Sequence, residues 1–450
     1  MQPNALLDAL LIEAGMSHAG FAERVNQAGR GRGIALRYEH TAVARWLKGQ
    51  RPRGPVPELI CEVLRDRLGR AVGPEDVGLV DAGAPAPGGE APGGLSGFVD
   101  RTTALWRADE RLRPRQPAEP ALTGTRAVIP VWEWENPPED IDVSRAGTVR
   151  TGPEHVAVLR AARAHYEAMY RRTGGLVTRP RITRFLGREA APLLRAGHSD
   201  AVGRSLHRAA GSLVAVAGIC AYDSDAHGQA QRSFHQALRL AKASGDRGLG
   251  AYVIALLVNQ CLHLGEPRQA VAFAEAALRT AGRAVSPALA ADLHAMQAKA
   301  YAALGDPGAA LARVRQAEAA AERIDRGAEP AETGYVQPGL VNVQVAAALL
   351  GIGDLRGARE QAARAVSAPA HDRGLVHRLG VLCEVQFRQG EREAAAATAA
   401  RMVGPARGME SRRLLERLRT VRELLAEGAP RSGAVRAGVD LLDEALRVPL

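Results

Sequence analysis

Apolar residues in the first 81 positions recur at helical spacing and are interrupted by glycines. A first apolar stripe stops at Gly15, and Ser17 is placed to cap a second helix that carries Phe21. A third helix is expected from about Thr41 to Leu47, and Pro57 opens a fourth. The pattern therefore predicts a small bundle of about four helices at the start of the chain.

The stretch that follows lacks this periodicity. Residues 82–94 consist mainly of alanine, proline and glycine, a composition typical of a flexible linker. Residues 95–150 are rich in proline and are expected to be irregular. The tryptophans that could anchor this stretch are Trp106, Trp132 and Trp134. From about Pro153 the helical period returns and continues to the end of the chain.

The long helical region contains an internal repeat. A glycine or an aspartate is followed five residues later by alanine in five copies: Asp225 and Ala230, Gly265 and Ala270, Gly305 and Ala310, Gly353 and Ala358, Gly390 and Ala395. Seven residues after these alanines come Ala237, Ala277, Ala317, Ala365 and, in the last copy, Met402. Seven residues before each turn lie Gly218, Val258, Ala298, Ala346 and Cys383. The turn-to-turn spacings are 40, 40, 48 and 37 residues.

Small residues at fixed offsets on both sides of a turn have a simple physical reading. Two antiparallel helices approach closely only where their side chains are small, and the turn between them favours a residue that accepts a left-handed backbone. The pattern resembles the tetratricopeptide repeat, although the period here is longer than the usual ~34 residues. Segments 411–427 and 434–447 are expected to form a degenerate sixth pair or cap. The resemblance implies an all-α fold with a helical solenoid.

Charge is concentrated near the predicted third helix. The chain has a formal net charge of +10, and residues 24–53 hold eight basic residues against one acid, Glu39. The basic residues are Arg24, Arg30, Arg32, Arg37, Arg45, Lys48, Arg51 and Arg53. Such clustering is typical of a surface that binds phosphates, and the alternative is an ordinary solvated basic face.

The third helix carries the pattern expected of a DNA-reading helix. Val43, Trp46 and Leu47 share an apolar face, and short or basic residues are expected on the outside, where they could enter a major groove. The residues expected to face DNA are Thr41, Ala42, Arg45 and Lys48, with Arg51 and Arg53 beyond the helix as phosphate contacts.

Segment 38–52, which reads YEHTAVARWLKGQRP, resembles the Xre/Cro-type helix-turn-helix. Together with the repeats, and with the phrases at 43–53, 221–223 and 237–246, the chain resembles actinobacterial regulators that combine such a domain with tetratricopeptide repeats. This resemblance covers most of the chain except residues 82–150. It implies transcriptional control, by repression among other modes, of antibiotic production and sporulation. One departure is the loop from about Val25 to Arg37, which exceeds the three- to four-residue turn of the compact motif.

Repeat arrays present a concave groove lined by the first helix of each pair. Mixed polar groups there could hold a peptide end, a small effector or a protein partner, or could simply be solvated. The groove candidates by repeat offset are Tyr252, Asn259, His263, Asp292, Lys299, Glu384 and Arg388.

Other chemistries find little support. The four cysteines are widely separated, which fits a reducing cytoplasm and argues against a zinc site or disulfides. The histidines form no metal-binding motif, and phosphate-binding and hydrolase motifs are missing, so neither a metal, a cofactor nor an enzyme is expected. Neither a signal peptide nor an apolar run long enough to span a membrane is recognisable.

The sequence thus predicts three regions: an Xre-type DNA-binding domain at 1–81, a linker and irregular segment at 82–150, and a repeat domain at 151–450. The favoured function is a cytoplasmic, nucleoid-associated regulator that binds double-stranded DNA, with homodimers as the expected form because paired half-sites usually require them. The alternative is a protein-interaction scaffold that does not bind DNA directly.

Overall fold

The computed structural model describes residues 4–50, 52, 55–68, 72, 77, 94–111, 120–137, 139–427 and 432–447. The chain divides into two compact units, Met1–Ala86 and Pro87–Leu450. Their described residues form helices and no strand, apart from isolated bridges that join Arg145 to His198 and Arg150 to Gly197. The all-α prediction is confirmed.

The N-terminal unit is a small helical bundle around one apolar core. Its described helices are α1 (Ala5–Glu13), α2 (His18–Gly31), α3 (His40–Leu47) and α4 (Val56–Leu68). Phe21, Val43 and Leu59 have no exposed surface, and Trp46 is 3% exposed. The apolar stripe of each helix faces this core, as its sequence spacing requires.

The second unit begins with a group of helices that precedes the repeats: α5 (Gly94–Arg111), α6 (Thr125–Glu135), α7 (Pro153–Thr173), α8 (Gly175–Phe185) and, after a π-helical turn at Leu186–Ala190, α9 (Ala191–Arg195). The expectation of irregular structure across 95–150 is therefore wrong for α5 and α6. Trp106 donates to the Gln236 side chain at 2.9 Å, and Trp134 is buried. Trp132 is 59% exposed and is no anchor.

Among the described residues, six helical pairs follow: α10 (Asp200–Asp223) with α11 (His227–Ser244), α12 (Arg247–His263) with α13 (Pro267–Ala281), α14 (Pro287–Ala303) with α15 (Pro307–Ala321), α16 (Leu340–Gly351) with α17 (Leu355–Ser367), α18 (Asp372–Arg388) with α19 (Arg392–Ala406), and α20 (Arg412–Ala426) with α21 (Gly433–Arg447). The first helix of each pair packs against the first helix of the next. We call the layer of these first helices the inner layer. This repeat-like packing is consistent with an α-solenoid.

The turns of the repeat have the predicted conformation. Positive φ occurs at all five positions: Asp225, Gly265, Gly305, Gly353 and Gly390. The alanines five residues later are buried, at 1% exposure or less. At the small-residue position, a Cβ on Gly218 would lie 2.5 Å from the Phe234 ring, so only glycine lets α10 and α11 approach this closely.

The long third spacing has a definite cause. Between α15 and α16 the chain inserts residues 322–339, whereas α11 and α12 are joined by two residues, Gly245 and Asp246. The insertion contains the 3-10 turn Ala331–Tyr335 and lies against the inner layer.

The two ends of the inner layer meet. Glu410, just before α20, exchanges backbone hydrogen bonds with Thr173 (3.0 Å) and Leu176 (3.1 Å). Beside them the fully buried carboxylate of Asp223, at the end of α10, accepts from the Gly175 amide at 2.7 Å and the Ser411 hydroxyl at 2.7 Å, and pairs with Arg373 of α18. We call this group the closure network.

Among the helices that the structure describes, none combines the length and the apolar character needed to cross a bilayer.

The turn conformation gives a first prediction. Gly265 has φ 75°, and no neighbouring atom lies within 4 Å of the place that a Cβ would take, so Gly265→Ala should cost about 1–2 kcal/mol from backbone strain alone. Gly404 in α19 also has open space but has no such φ, so Gly404→Ala should be neutral or stabilising by about 0.5–1 kcal/mol. Urea unfolding followed by circular dichroism compares the two. A Gly265→Ala variant as stable as Gly404→Ala would contradict the left-handed turn.

The closure network gives a second prediction. Asp223→Ala leaves Arg373, which is only 8% exposed, without its carboxylate, and should lower the free energy of unfolding by about 3–5 kcal/mol. Adding Arg373→Leu should recover part of that loss, because the double variant no longer buries an unpaired charge. Urea unfolding of both variants and of Arg373→Leu alone measures the coupling. Strictly additive effects would show that the pair does not interact.

Candidate nucleic-acid interface and repeat interior

The position of α3 depends on contacts at both of its ends. At its C-terminus the backbone amide of Asn4 donates to the Leu47 carbonyl at 2.8 Å. Before its N-terminus the Asn26 side chain on α2 both donates to the Tyr38 carbonyl and accepts from the Tyr38 amide, each at 2.8 Å. The Tyr38 ring then meets Trp46 edge to face, with centroids 5.1 Å apart. These contacts orient α3 on α2.

The connection before α3 is shorter than the sequence suggests. Helix α2 continues to Gly31, so the loop expected from Val25 to Arg37 is reduced to residues 32–39. Gly29 lets this connection pack closely on α2, because a Cβ at that position would come within 2.6 Å of a Leu36 side-chain carbon. The connection still exceeds the three to four residues of the compact helix-turn-helix.

The outer surface of α3 differs from the prediction at one residue. Thr41, Arg45 and Lys48 are exposed along one stripe, as expected, but Ala42 is 3% exposed and faces the core. Ala42 is about 100° from Thr41 around the helix, which places it beside Trp46, one turn later, on the buried side. The short residue on the outer face is Ala44, which is half-buried.

Most of the eight basic residues in segment 24–53 are exposed to solvent. The exposed ones in the described chain, besides Arg45 and Lys48, are Arg24, Arg30, Arg32 and Arg37. Arg32 differs from the others because acids offset its charge: it pairs with Glu58 at 3.5 Å and with Glu62, both on α4. Arg45 and Lys48 form no ion pair with any described residue. The predicted phosphate contacts Arg51 and Arg53 lie outside the described residues.

Comparison with known proteins informs the N-terminal unit alone. Residues 7–80 match the family model described as the SP15 N-terminal domain. The match contains α3 and leaves the repeat unit unassigned. A search of curated proteins finds no match for the chain.

In the repeat unit, two predicted groove residues are covered by the chain itself. Tyr252 is 4% exposed, with its ring 6.0 Å from that of Tyr335 in the insertion. Asp292 is 3% exposed and accepts from the Tyr335 hydroxyl at 2.6 Å; burial raises the pKa of its carboxyl. Neither is an open groove position. The prediction failed because the insertion folds back on α12 and α14.

Glu332 fixes the same insertion to α10. Its carboxylate accepts from the Ser212 hydroxyl at 2.8 Å and from Arg208 at 3.2 Å. Arg163 of α7 donates to the neighbouring Ala331 carbonyl at 3.2 Å. The part of the inner layer formed by α10, α12 and α14 is therefore covered by the insertion.

Asn259 and His263 of α12 lie beside Tyr222, near the end of α10, which residues of α20 also contact. The Asn259 amide donates to the Tyr222 hydroxyl at 3.4 Å, and the His263 ring packs 5.6 Å from the Tyr222 ring. Burial lowers the pKa of His263, and Glu416 at 3.9 Å acts in the opposite direction. The Arg413 guanidinium also packs on Tyr222, 4.3 Å from the ring centroid. Both predicted residues are half-buried within this cluster.

The remaining groove candidates differ among themselves. Lys299 is half-buried and donates to Gln344 of α16 at 2.8 Å. Glu384 accepts from Arg388 at 2.9 Å along α18, and Arg388 itself is exposed. Sequence reasoning missed their neighbours His377 and Arg417. His377 lies 13 residues before its turn at Gly390, the offset that Tyr252 and Asp292 have from their own turns, so the repeat could have identified it; Arg417 lies beyond the five repeat copies and carries no such signal. Cys261 and Cys383 are buried, as expected, and burial raises the pKa of each thiol to about 12.

The support of α3 gives a third prediction. Asn26→Ala removes both hydrogen bonds to Tyr38 and should cost about 1–3 kcal/mol, with faster hydrogen exchange in peptides covering residues 32–39. Gln27 is exposed on the same helix, so Gln27→Ala is the matched control and should leave exchange unchanged. Equal exchange in both variants would show that Asn26 does not hold the connection.

Proposed function

We propose that this protein is a DNA-binding transcriptional regulator of the Xre type, with α3 as the recognition helix. The observation that carries the proposal is the contrast between the two sides of α3. One side, with Val43 and Trp46, is buried; the other presents Thr41, Arg45 and Lys48 to solvent without acidic partners among the described residues. Hydroxyl and guanidinium groups on an exposed helix are suited to base edges in a major groove.

The charge around α3 supports the same reading. Arg24, Arg30 and Arg37 are exposed within the N-terminal unit and pair with no acid that the structure describes, so phosphate oxygens would meet their charges near the helix. We place the protein in the cytoplasm on the nucleoid, acting as a homodimer on paired half-sites, with control of antibiotic production and sporulation as the process that the resemblance implies. The repeat unit is proposed to sense an effector or partner.

The fourth prediction tests α3 directly. The full chain is first used to enrich duplex DNA from a random library, and the enriched sequence serves as the probe. Arg45→Ala should weaken binding by about 1–3 kcal/mol and relax base preference at one position. Arg356 in the repeat unit is 92% exposed, so Arg356→Ala provides a matched loss of charge that should leave affinity unchanged.

If Arg45→Ala weakened binding to enriched and to random DNA equally, Arg45 would be a phosphate contact and would not read a base. A chain that enriches no DNA, and whose binding to DNA does not depend on salt, would favour the alternative of an interaction scaffold, because phosphate neutralisation makes binding steeply salt-dependent.

A further inference from the structure

The inner layer contains a basic cluster beside the part that the insertion covers. On α18, Arg373, His377, Gly380 and Glu384 follow one another at helical spacing and share one face. Arg417 approaches this face from α20, and Lys299 belongs to α14. We call Lys299, His377 and Arg417 the cationic triad.

Arg417 lies directly on the backbone of α18. A Cβ on Gly380 would fall 3.0 Å from its Cζ and 3.1 Å from its Nη2, so the absence of a side chain at 380 makes room for the guanidinium. Its Nη2 is 3.7 Å from the Glu384 carboxylate, beyond hydrogen-bond range. That nitrogen is buried and has no hydrogen-bond partner among the described residues, although 19% of the side chain remains accessible.

Lys299 also retains donor capacity. Its ammonium group donates to Gln344 at 2.8 Å, which uses one of three protons. The neighbouring acid, Asp292, is already engaged by the Tyr335 hydroxyl and by Gln344. Burial lowers the pKa of Lys299, as does the charge of Arg417, whereas Asp292 raises it.

His377 completes the triad. The charged and titratable groups that act on it are Arg373, Arg417, Lys299 and His371, all of them basic. Burial, followed by these cations, lowers the pKa of His377 to about 3, so at neutral pH its ring is an uncharged donor and the charge of the triad comes from Lys299 and Arg417. Of the nearby acids, Asp223 pairs with Arg373, and Glu384 is shared between Arg388 at 2.9 Å and Arg417 at 3.7 Å. The cluster therefore has more hydrogen-bond donors than the described acids accept: Arg417 Nη2 has no hydrogen-bond partner among the described residues, and Lys299 donates to an amide oxygen.

We propose that the cationic triad binds a small organic anion through a carboxylate or phosphate group. Such a group offers several acceptor lone pairs to the Arg417 guanidinium and the Lys299 ammonium, with His377 as a third donor. The triad is half-buried, and the insertion and the closure network occupy the adjoining parts of the inner layer. A compact ligand fits this setting better than an extended peptide. Naming the anion an effector rests on the proposed function; its binding does not.

The test uses the full chain without DNA. Isothermal titration calorimetry with inorganic phosphate and with succinate, against chloride at equal ionic strength, should detect binding of at least one anion and identify which group is preferred. Lys299→Met and Arg417→Met should each weaken that binding roughly tenfold or more, because each removes a charge-assisted hydrogen bond. Arg356→Met, at the exposed position, should leave it unchanged.

Thermal unfolding separates this role from a structural one. In chloride, Lys299→Met should melt at the same temperature as wild type or higher, since it relieves repulsion, and it should lose the anion-dependent rise. No binding of either anion, or binding unaffected by both triad variants, overturns the proposal. Anion binding without DNA binding would sink the proposed function alone, and DNA binding without anion binding would sink the triad alone.

Discussion

The repeat unit depends on one buried carboxylate. Asp223 has no exposed surface, so its charge is tolerable only because Gly175, Ser411 and Arg373 all donate to it. These donors come from the start of α8, the residue before α20 and the first turn of α18. An array whose repeats contact only their neighbours has no need of such a group. Here the carboxylate ties elements 150 and 188 residues apart, so the first and last pairs stabilise one another.

Closure changes what the inner layer can bind. An open array offers a continuous groove, whereas this layer is filled at one end by the insertion around Glu332 and Tyr335 and sealed at another by the contact of Tyr222 with Arg413. Polar side chains that would otherwise meet a ligand meet the chain itself. What is left is the cationic triad, whose donors exceed the acids available to it. The proposed preference for a small anion follows from this imbalance.

Local features of the fold could be predicted from sequence, and long-range ones could not. The turns at Gly265 and Gly390 were predictable because a left-handed residue and a small partner lie within one helical hairpin. The pairing of Asp223 with Arg373 carries no spacing signal, and the insertion was visible only as a longer period. Helices α5 and α6 escaped notice because tryptophans pack against distant repeats instead of forming a local stripe. On α3 the exposure of Thr41, Arg45 and Lys48 was predicted correctly. Ala42 was expected on the outer face, but it lies one turn before the buried Trp46 and shares its side of the helix.

The central claim is that α3 of the N-terminal unit is the element that contacts DNA, while the repeat unit has a separate binding role. Hydrogen–deuterium exchange of the full chain, with and without DNA enriched by that chain, measures this most directly because it reports on both units at once. The account predicts slower exchange in peptides covering Thr41–Lys48 when DNA is added, with the closure network and cationic triad unchanged. Protection confined to the repeat unit, with α3 unaffected, would contradict it.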